Sequence, residues 1–310
     1  MNTRKTARNL LIAGGMTLAL GLSACSGDTG GSGEGELSGA SITVGSKEFT
    51  ESIVLGYIAA EVLENAGADV TDQTGISGSA TVREALVSGE IDLYWEYTGT
   101  AWVNYFGHTA EDVPDDLFAA VAEEDAANGV AWLDQANFEN SYAIATGRDF
   151  AEENGIATLS DMAEYMQQNP DDAGICAASE FINRDDGLPG LEEAYGVKFD
   201  PLVEVDLNLV YTQINEGCAF GEVTTTDARN ITNDLVVLED DRGFFVEYAG
   251  AVTLRQDVLD EYPAIAELLA PVSEELTNEV MATLNGRVDN DGEDPRDVAE
   301  EWLQEQGFID

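Results

Sequence analysis

The chain has 310 residues, of which 61 are acidic and 13 basic, and its formal net charge at neutral pH is −48. Such a charge argues against partners that are nucleic acids or anionic lipid surfaces. Because 44% of the residues are hydrophobic, the chain can still bury a sizeable core and is not a disordered acidic polymer.

The first 25 residues have the pattern of an export signal. Their basic residues are Arg4, Lys5 and Arg8. An apolar core follows from Leu10 to Leu22 and is too short to span a bilayer of about 30 Å. The next residues, Ser23-Ala24-Cys25, resemble a bacterial lipobox, so we expect removal of residues 1–24 and lipidation of Cys25. The alternatives are a transmembrane anchor, or an ordinary signal peptide in which the cysteine occurs by chance.

A stretch rich in glycine and serine follows Cys25, with almost no apolar residue before Leu37. This composition predicts a flexible tether over residues 25–40. With a lipid anchor, it would hold a folded domain near the outer face of the cell membrane. Loss of residues 1–24 removes three basic residues and no acid, which leaves 10 basic and 61 acidic residues and a formal charge of −51.

Cys176 and Cys218 are the two remaining cysteines. A pair of cysteines in an exported domain is most simply a disulfide, and two buried free thiols are the alternative. A metal site is not expected, because the chain has one histidine, His108, and no cysteine and histidine cluster at ligand spacing. His108 lies in a predicted loop, and we expect it to be a solvated surface residue.

Short β-like runs alternate with amphipathic helical runs after residue 40. A first series predicts strands at 42–45, 68–70 and 91–95 and helices at 53–63 and 80–88. A second series predicts strands at 142–145, 174–177, 202–205 and 219–223 and helices at 160–168, 191–195 and 209–216. Thr158 and Asp161 have the spacing of a capping box. The tail is predicted to be helical over 264–270, 274–285 and 296–306.

This order of elements predicts two successive α/β lobes with parallel sheets. The segment between Leu235 and Val252 would carry the chain back to the first lobe. We therefore assign residues 41–140 and 249–310 to lobe 1 and residues 141–248 to lobe 2. Ligands of open α/β sheets bind at the carboxyl ends of the strands, so a site is expected in the cleft between the lobes.

Some residues at the predicted strand ends suit a small charged ligand. Lys47 lies at a strand-to-helix turn, where a cation favours an anionic ligand group. An ordinary ion pair with a nearby acid is its alternative role. Tyr94–Thr100 offers rings and hydroxyls, although buried tyrosines more often belong to a core. The same ambiguity holds for Tyr142 and for Phe244–Tyr248.

Two segments closely resemble the substrate-binding proteins of ABC importers for glycine betaine, carnitine and choline. They are Val44-Gly45-Ser46-Lys47-Glu48-Phe49-Thr50-Glu51 and Ala85-Leu86-Val87-Ser88-Gly89-Glu90-Ile91-Asp92-Leu93-Tyr94-Trp95-Glu96-Tyr97-Thr98-Gly99-Thr100. The resemblance extends over residues 42–308. It includes Arg184-Asp185-Asp186-Gly187, Thr226-Asp227, Phe244-Phe245 with Tyr248, Leu284-Asn285 and Val288-Asp289.

The resemblance implies an α/β, two-lobed type II periplasmic-binding-protein fold that closes on its ligand between the lobes. It implies a quaternary-ammonium ligand held by cation–π attraction in a cage of Tyr97, Tyr142 and Tyr248. It implies that a ligand carboxylate is bound at Lys47, Thr100 and Arg184, the last through its planar guanidinium. The implied partners are a small zwitterionic or cationic solute, the permease subunits and, through the lipid, the membrane, without nucleic acid or a cofactor.

The chain departs from the family pattern at three positions. Thr224 stands where the family often has an aromatic residue, Ser52 where many members have glutamine, and Trp95 where many have proline. A roomier or more polar cleft would follow, suited to a bulkier betaine such as carnitine or ergothioneine.

Two other classes of protein are less favoured. An extracellular hydrolase is not expected, because the sequence has no Gly-x-Ser-x-Gly elbow and His108 lies outside any triad-like setting. A ligand-sensing surface protein that keeps the binding fold without transport is the remaining alternative.

Overall fold

The structure is a computed structural model and describes residues 35–109, 112–214 and 216–310. The predicted signal segment, Cys25 and the tether as far as residue 34 lie outside these residues. Within the described ranges, no helix combines the length and the apolar composition that crossing a bilayer requires.

The last part of the predicted tether packs on the fold. Leu37 is buried, and its backbone N–H donates to the carbonyl of Ala66 at 2.9 Å. Ala40 is buried as well. The prediction of a flexible segment therefore does not hold for residues 35–40, because Leu37 loses its apolar surface to the core.

The described residues form strands and helices in close agreement with the predicted runs. The strands are β1 (Ser41–Lys47), β2 (Asp69–Ile76), β3 (Leu93–Tyr97), β4 (Val130–Trp132), β5 (Tyr142–Gly147), β6 (Ile175–Ala177), β7 (Leu202–Glu204), β8 (Phe220–Thr224), β9 (Leu235–Val237) and β10 (Gly250–Arg255). The α-helices are α1 (Thr50–Asn65), α2 (Ser79–Ser88), α3 (Leu117–Ala126), α4 (Arg148–Asn154), α5 (Leu159–Gln168), α6 (Ser179–Asn183), α7 (Leu188–Tyr195), α8 (Leu207–Gln213), α9 (Arg229–Thr232), α10 (Gln256–Glu261), α11 (Ala264–Glu275), α12 (Asn278–Asp289) and α13 (Pro295–Gln306). A π-helix covers Thr100–Tyr105, directly after β3.

The first sheet has the strand order β2-β1-β3-β10-β4. Strand β1 lies parallel to β2 and β3, as the alternation of strands and helices predicts. Strand β10 lies between β3 and β4 and is antiparallel to both, so the prediction of a parallel sheet is wrong here, as it is for β5 (Tyr142–Gly147) in the second sheet. The physical reason is that β10 belongs to chain returning from the other lobe, and it enters the sheet in the opposite direction.

The second sheet repeats this layout with the order β7-β6-β8-β5-β9. Strand β6 is parallel to β7 and β8, and β5 is antiparallel to β8 and β9. Each sheet, with the helices packed on it, forms one lobe. Strands of the first lobe lie within 41–132 and 250–255, and those of the second within 142–237.

Local sequence signals account for several helix ends. In the capping box of α5, the Asp161 N–H donates to Thr158 Oγ1 and the Thr158 N–H donates to Asp161 Oδ2, both at 3.0 Å. Helix α2 ends at Gly89, whose backbone is left-handed. The tail helices α11, α12 and α13 pack on α1, so the end of the chain completes the core of the first lobe.

Two segments cross between the lobes, residues 133–141 and 238–249, and they run side by side where they meet. The Ala136 N–H donates to the Gly250 carbonyl at 2.9 Å, and the Asn140 N–H donates to the Tyr248 carbonyl at 3.0 Å. We call this pair of segments the hinge. It places the start of β5 and the start of β10 next to the cleft.

The second lobe contains the disulfide between Cys176 and Cys218. Cys176 lies in β6, and Cys218 lies just before β8, the parallel neighbour of β6. Their Cα atoms are 5.7 Å apart, and the two residues are 42 positions apart in the chain. The bond therefore ties two adjacent central strands of the second sheet.

We expect the double substitution Cys176→Ala with Cys218→Ala to lower the free energy of unfolding by about 3–4 kcal/mol, because the unfolded chain regains the entropy of an open loop. Urea unfolding followed by circular dichroism measures this change. Thiol reduction of the unaltered protein breaks the same bond without a substitution, and we expect it to lower the free energy of unfolding by a similar amount. Equal unfolding midpoints before and after reduction would contradict the prediction.

Candidate functional site

A cavity of about 510 Å³ lies between the lobes, at the ends of strands from both sheets. Of the predicted site residues, the structure brings to its wall Lys47, Tyr97, Thr100, Tyr142, Thr224 and Tyr248. Arg184 is buried beside the wall without being part of it. His108 lies elsewhere, stacked on Trp102 with ring centroids 3.8 Å apart, so it is less solvated than predicted.

Four aromatic rings line this cavity, one more than predicted. Tyr97 ends β3, Tyr142 begins β5, and Tyr248 lies in the hinge just before β10. The additional ring is Phe49, in the turn between β1 and α1, with its centroid 6.0 Å from that of Tyr97. The rings of Tyr142 and Tyr248 meet edge to face, with centroids 5.4 Å apart. Rings from both lobes and the hinge therefore share one hollow.

The glycine of the Glu-Tyr-Thr-Gly-Thr segment has a packing reason. A Cβ atom on Gly99 would lie 2.7 Å from Cε1 of Tyr248 and equally close to a methyl group of Val246. No side chain fits there, so the glycine lets the hinge approach the end of β3. The position of the Tyr248 ring depends on this contact.

The carboxylate of Glu51 lies beneath the cavity and is fully buried. Its Oε1 accepts from the Tyr97 hydroxyl and the Asn140 amide, both at 2.8 Å. Its Oε2 accepts from the Thr226 hydroxyl at 2.5 Å and the Asn285 amide at 3.0 Å. Burial raises the pKa of Glu51, and the four donors oppose that rise. The donors come from both lobes and the hinge, so Glu51 links all three.

Burial and nearby carboxylates keep the phenols that line the cavity in their neutral form. Tyr248 donates to Asp186 Oδ2 at 2.6 Å, as Tyr97 does to Glu51. Burial, together with these acids, raises the pKa of both phenols well above the usual range. Burial raises the pKa of Tyr142 in the same direction. The three rings therefore stay uncharged and electron-rich at physiological pH.

Lys47 makes the ion pair that was its alternative role, and it also lies on the cavity wall. Its Nζ donates to Glu96 Oε1 at 2.6 Å, and it lies 5.1 Å from the centroid of the Tyr97 ring on the cavity wall. Glu96 also accepts from the hydroxyls of Tyr94 and Tyr105. The Lys47 charge is thus already compensated, and contact with a ligand carboxylate stays a prediction.

The guanidinium of Arg184 is engaged within the protein. Its Nε donates to Asp186 Oδ1 at 2.7 Å and its Nη2 to Asp186 Oδ2, while Nη1 donates to Glu180 Oε1 at 2.7 Å. The group also lies 5.4 Å from the centroid of the Tyr142 ring. Asp186 therefore accepts from both Nε and Nη2 in this structure, and bidentate binding of a ligand carboxylate by Arg184 stays a prediction.

The three departures from the family pattern differ in their effect on the site. Thr224 lines the cavity, and the Tyr211 hydroxyl lies 3.4 Å from its Oγ1, so a small polar wall replaces a ring. Ser52 and Trp95 are buried away from the cavity wall. Ser52 Oγ accepts a hydrogen bond from the backbone N–H of Lys47 at 2.9 Å, and Trp95 packs in the hydrophobic core of the first lobe. Only Thr224 therefore changes the lining itself.

Sequence reasoning missed four acids of the second lobe that line the cavity, which are Glu180, Glu204, Asp206 and Glu222. Glu180 accepts from the backbone N–H and the hydroxyl of Ser79, at 3.1 and 2.6 Å, across the cleft. Burial opposes its ionisation, but the charges of Lys47 and Arg184 and the Ser79 hydrogen bonds lower the pKa of Glu180 to about 2. The lobes are thus in direct contact beside the cavity.

Comparisons with known proteins agree with this geometry. The family model for the substrate-binding domain of ABC-type glycine betaine transport systems matches residues 40–305. A glycine-betaine-binding protein of Pseudomonas aeruginosa is 36% identical over 278 residues, covering 87% of this chain and 89% of that protein. The ergothioneine transport permease/ergothioneine-binding protein EgtU of Helicobacter pylori is 32% identical, covering 86% of this chain and 48% of that protein.

One solved structure, described as a glycine betaine/carnitine/choline ABC transporter, superposes with a TM-score of 0.71 at 24% identity. The superposition covers 87% of this chain and all of that chain. At this identity the likeness concerns the fold alone. It is consistent with the two lobes and the cleft described above.

We expect Glu51→Gln to lower the free energy of unfolding by about 2–3 kcal/mol, because the amide turns one acceptor oxygen into a donor that faces two other donors. Thermal and urea unfolding measure the change. Glu90→Gln, at an exposed position of the same lobe, is the matched control and leaves stability nearly unchanged. If both variants unfold alike, the four-donor network does not stabilise the fold.

Proposed function

The chain belongs to the family of substrate-binding domains of ABC-type glycine betaine transport systems, and we propose that it captures a small quaternary-ammonium solute in the cavity between its lobes for delivery to a permease. The single observation that carries this proposal is the convergence of Phe49, Tyr97, Tyr142 and Tyr248 on one cavity. The segments that supply these rings are far apart in the chain, so their meeting is a property of the folded site.

The chemistry of such a ligand fits the rings better than it fits the acids alone. A trimethylammonium group has no N–H to donate, so a carboxylate gains only a point-charge contact with it. The face of a neutral aromatic ring attracts the same cation through its quadrupole, by about 0.5–2 kcal/mol per desolvated ring. Acids behind the rings add a favourable field. The proposed ligand class is therefore glycine betaine, choline, carnitine or a related betaine.

The size and polarity of the cavity support this class and leave room for its larger members. A volume of about 510 Å³ exceeds what a trimethylammonium head alone requires, and Thr224 contributes a small polar wall. A bulkier betaine such as ergothioneine is the second candidate, and Thr224 is the observation that favours it. The relative in Helicobacter pylori is described as binding ergothioneine.

Contacts between the lobes suggest how binding would favour closure. Glu51 joins Thr226 of the second lobe to Tyr97 of the first, and Glu180 reaches Ser79 across the cleft. A ligand that touches rings on both lobes binds the closed form more tightly than an open one. It therefore shifts the population toward closure by that difference in affinity.

We expect Tyr142→Ala to weaken binding of the preferred quaternary ammonium by about threefold to thirtyfold, since one ring of the cage is lost. Tyr142→Phe keeps the ring and is the matched control, with affinity close to that of the unaltered protein. Calorimetric titration with glycine betaine, choline, carnitine and ergothioneine measures both. Equal affinities for the alanine and phenylalanine variants would show that the ring does not contact the ligand.

We also propose that the chain is a lipoprotein held by Cys25 at the outer face of the cell membrane, on the basis of the sequence pattern alone. Cys25→Ser in the full chain is expected to abolish acylation and move the protein from the detergent phase to the aqueous phase in a phase-separation assay. The mass of the mature amino terminus identifies the lipid. An unmodified Cys25 in membrane-bound protein would contradict the proposal.

A further inference from the structure

Glu222 is an acid of the cavity wall with one oxygen unused. It lies in β8 and is 1% exposed, and its Oε2 accepts the backbone N–H of Ala178 at 2.7 Å. Among the described residues, Oε1 has no hydrogen-bond partner. This oxygen borders the space that a ligand would fill, and a ligand that covers it without donating a hydrogen bond would leave it buried at a cost in free energy.

The surroundings of Glu222 hold other charged and titratable groups. Glu180 and Arg184 act on it from α6 and the residues after that helix, with opposite sign. Other charged or titratable groups around the cavity are Tyr142 on β5, Tyr211 on α8, Glu204 at the end of β7, Asp206 just before α8, and Lys47 across the cleft. Burial and the charge of Glu180 raise the pKa of Glu222, whereas the Ala178 hydrogen bond and the charge of Arg184 lower it. The net effect is a rise of the pKa to about 8. The proton equilibrium of Glu222 therefore lies close to physiological pH.

We propose that Glu222 determines ligand specificity by accepting a hydrogen bond from a hydroxyl or N–H group that the ligand carries beyond its methylated nitrogen. This inference rests on the proposed function and deepens it. A trimethylammonium group cannot satisfy Oε1, because it has no donor. A ligand with a donor at its other end satisfies both the rings and the carboxylate, whereas a ligand without one leaves that oxygen buried and unpartnered.

The ligand class that follows is a quaternary ammonium compound with an alcohol or ring N–H group. Two pairs of compounds differ in that donor, and the accompanying change in size has opposite sign in the two pairs. Choline can be compared with its methyl ether, and carnitine with γ-butyrobetaine, which lacks the hydroxyl of carnitine. For each parent compound that binds, we expect loss of the donor to weaken binding by about tenfold to a hundredfold.

The dependence on pH follows from the direction of the proton equilibrium. A donor on the ligand stabilises the ionised carboxylate, so binding releases the proton that Glu222 holds below pH 8. Affinity for choline should therefore rise from pH 6 to pH 8, by at most tenfold per pH unit, and level off above. Choline methyl ether has the same charge without the donor, so the preference for choline over the ether should grow over the same range.

The variant Glu222→Gln tests whether Glu222 accepts a hydrogen bond from the ligand. Glutamine keeps the shape of the side chain and has no titratable carboxyl group. We expect it to reduce the preference for the donor-bearing compound and to remove its change between pH 6 and pH 8. Glu153→Gln, at an exposed position of the same lobe, is the matched control. Tetramethylammonium, which carries no donor, is the reference ligand, and the Glu153→Gln variant and the unaltered protein should bind it equally well.

The outcomes separate this inference from the proposed function. Equal affinities within both pairs, or a preference that Glu222→Gln leaves unchanged, would overturn the role of Glu222 while the aromatic cage stands. Tighter binding of γ-butyrobetaine or of choline methyl ether than of the parent compound would also overturn it. If tetramethylammonium and all four compounds fail to bind, the proposed function is wrong and this inference falls with it.

Discussion

The carboxylate of Glu51 is the constraint on which the arrangement of the lobes depends. A carboxylate has acceptor sites only, so a buried one is tolerated where donors converge on it. Here each oxygen takes two donors, and these come from the first lobe, the hinge and the second lobe. One of the four donors is the Tyr97 hydroxyl, so the same group that joins the lobes also fixes a ring of the cavity.

The same principle operates around the rest of the cavity, where acids satisfy the polar groups of the protein itself. Asp186 accepts from both Tyr248 and Arg184, and Glu96 accepts from Lys47. The two basic side chains nearest the cavity thus have carboxylate partners already. What is left for a ligand is mainly ring surface and the oxygen of Glu222. The acidic composition by itself indicates only a solvated surface. In this protein some of the acids also accept hydrogen bonds inside the site.

Local patterns in the sequence predicted the elements of the fold well, whereas the site residues were assigned from the resemblance to a known family. The strands and helices of both lobes, the capping box at Thr158 and the positions of Lys47 and Tyr97 follow from residues near one another in the chain. The antiparallel entry of β10 could not be read locally, since its partner β3 lies about 150 residues earlier. Glu51 and Glu222 were missed because acids are so abundant in this chain that their type carries no contrast, and only burial distinguishes them.

The paired crossing segments have a mechanical consequence for release. Tyr142 follows one of them and Tyr248 lies in the other, and the backbone bond from Asn140 to Tyr248 holds the two together. Any motion that separates the lobes must bend both segments of the hinge at once. The same motion would move Tyr142 and Tyr248 away from a bound ligand. Separation of the lobes would thus be enough to open the cavity and release the ligand. A transporter that separated them would not need to contact the ligand itself.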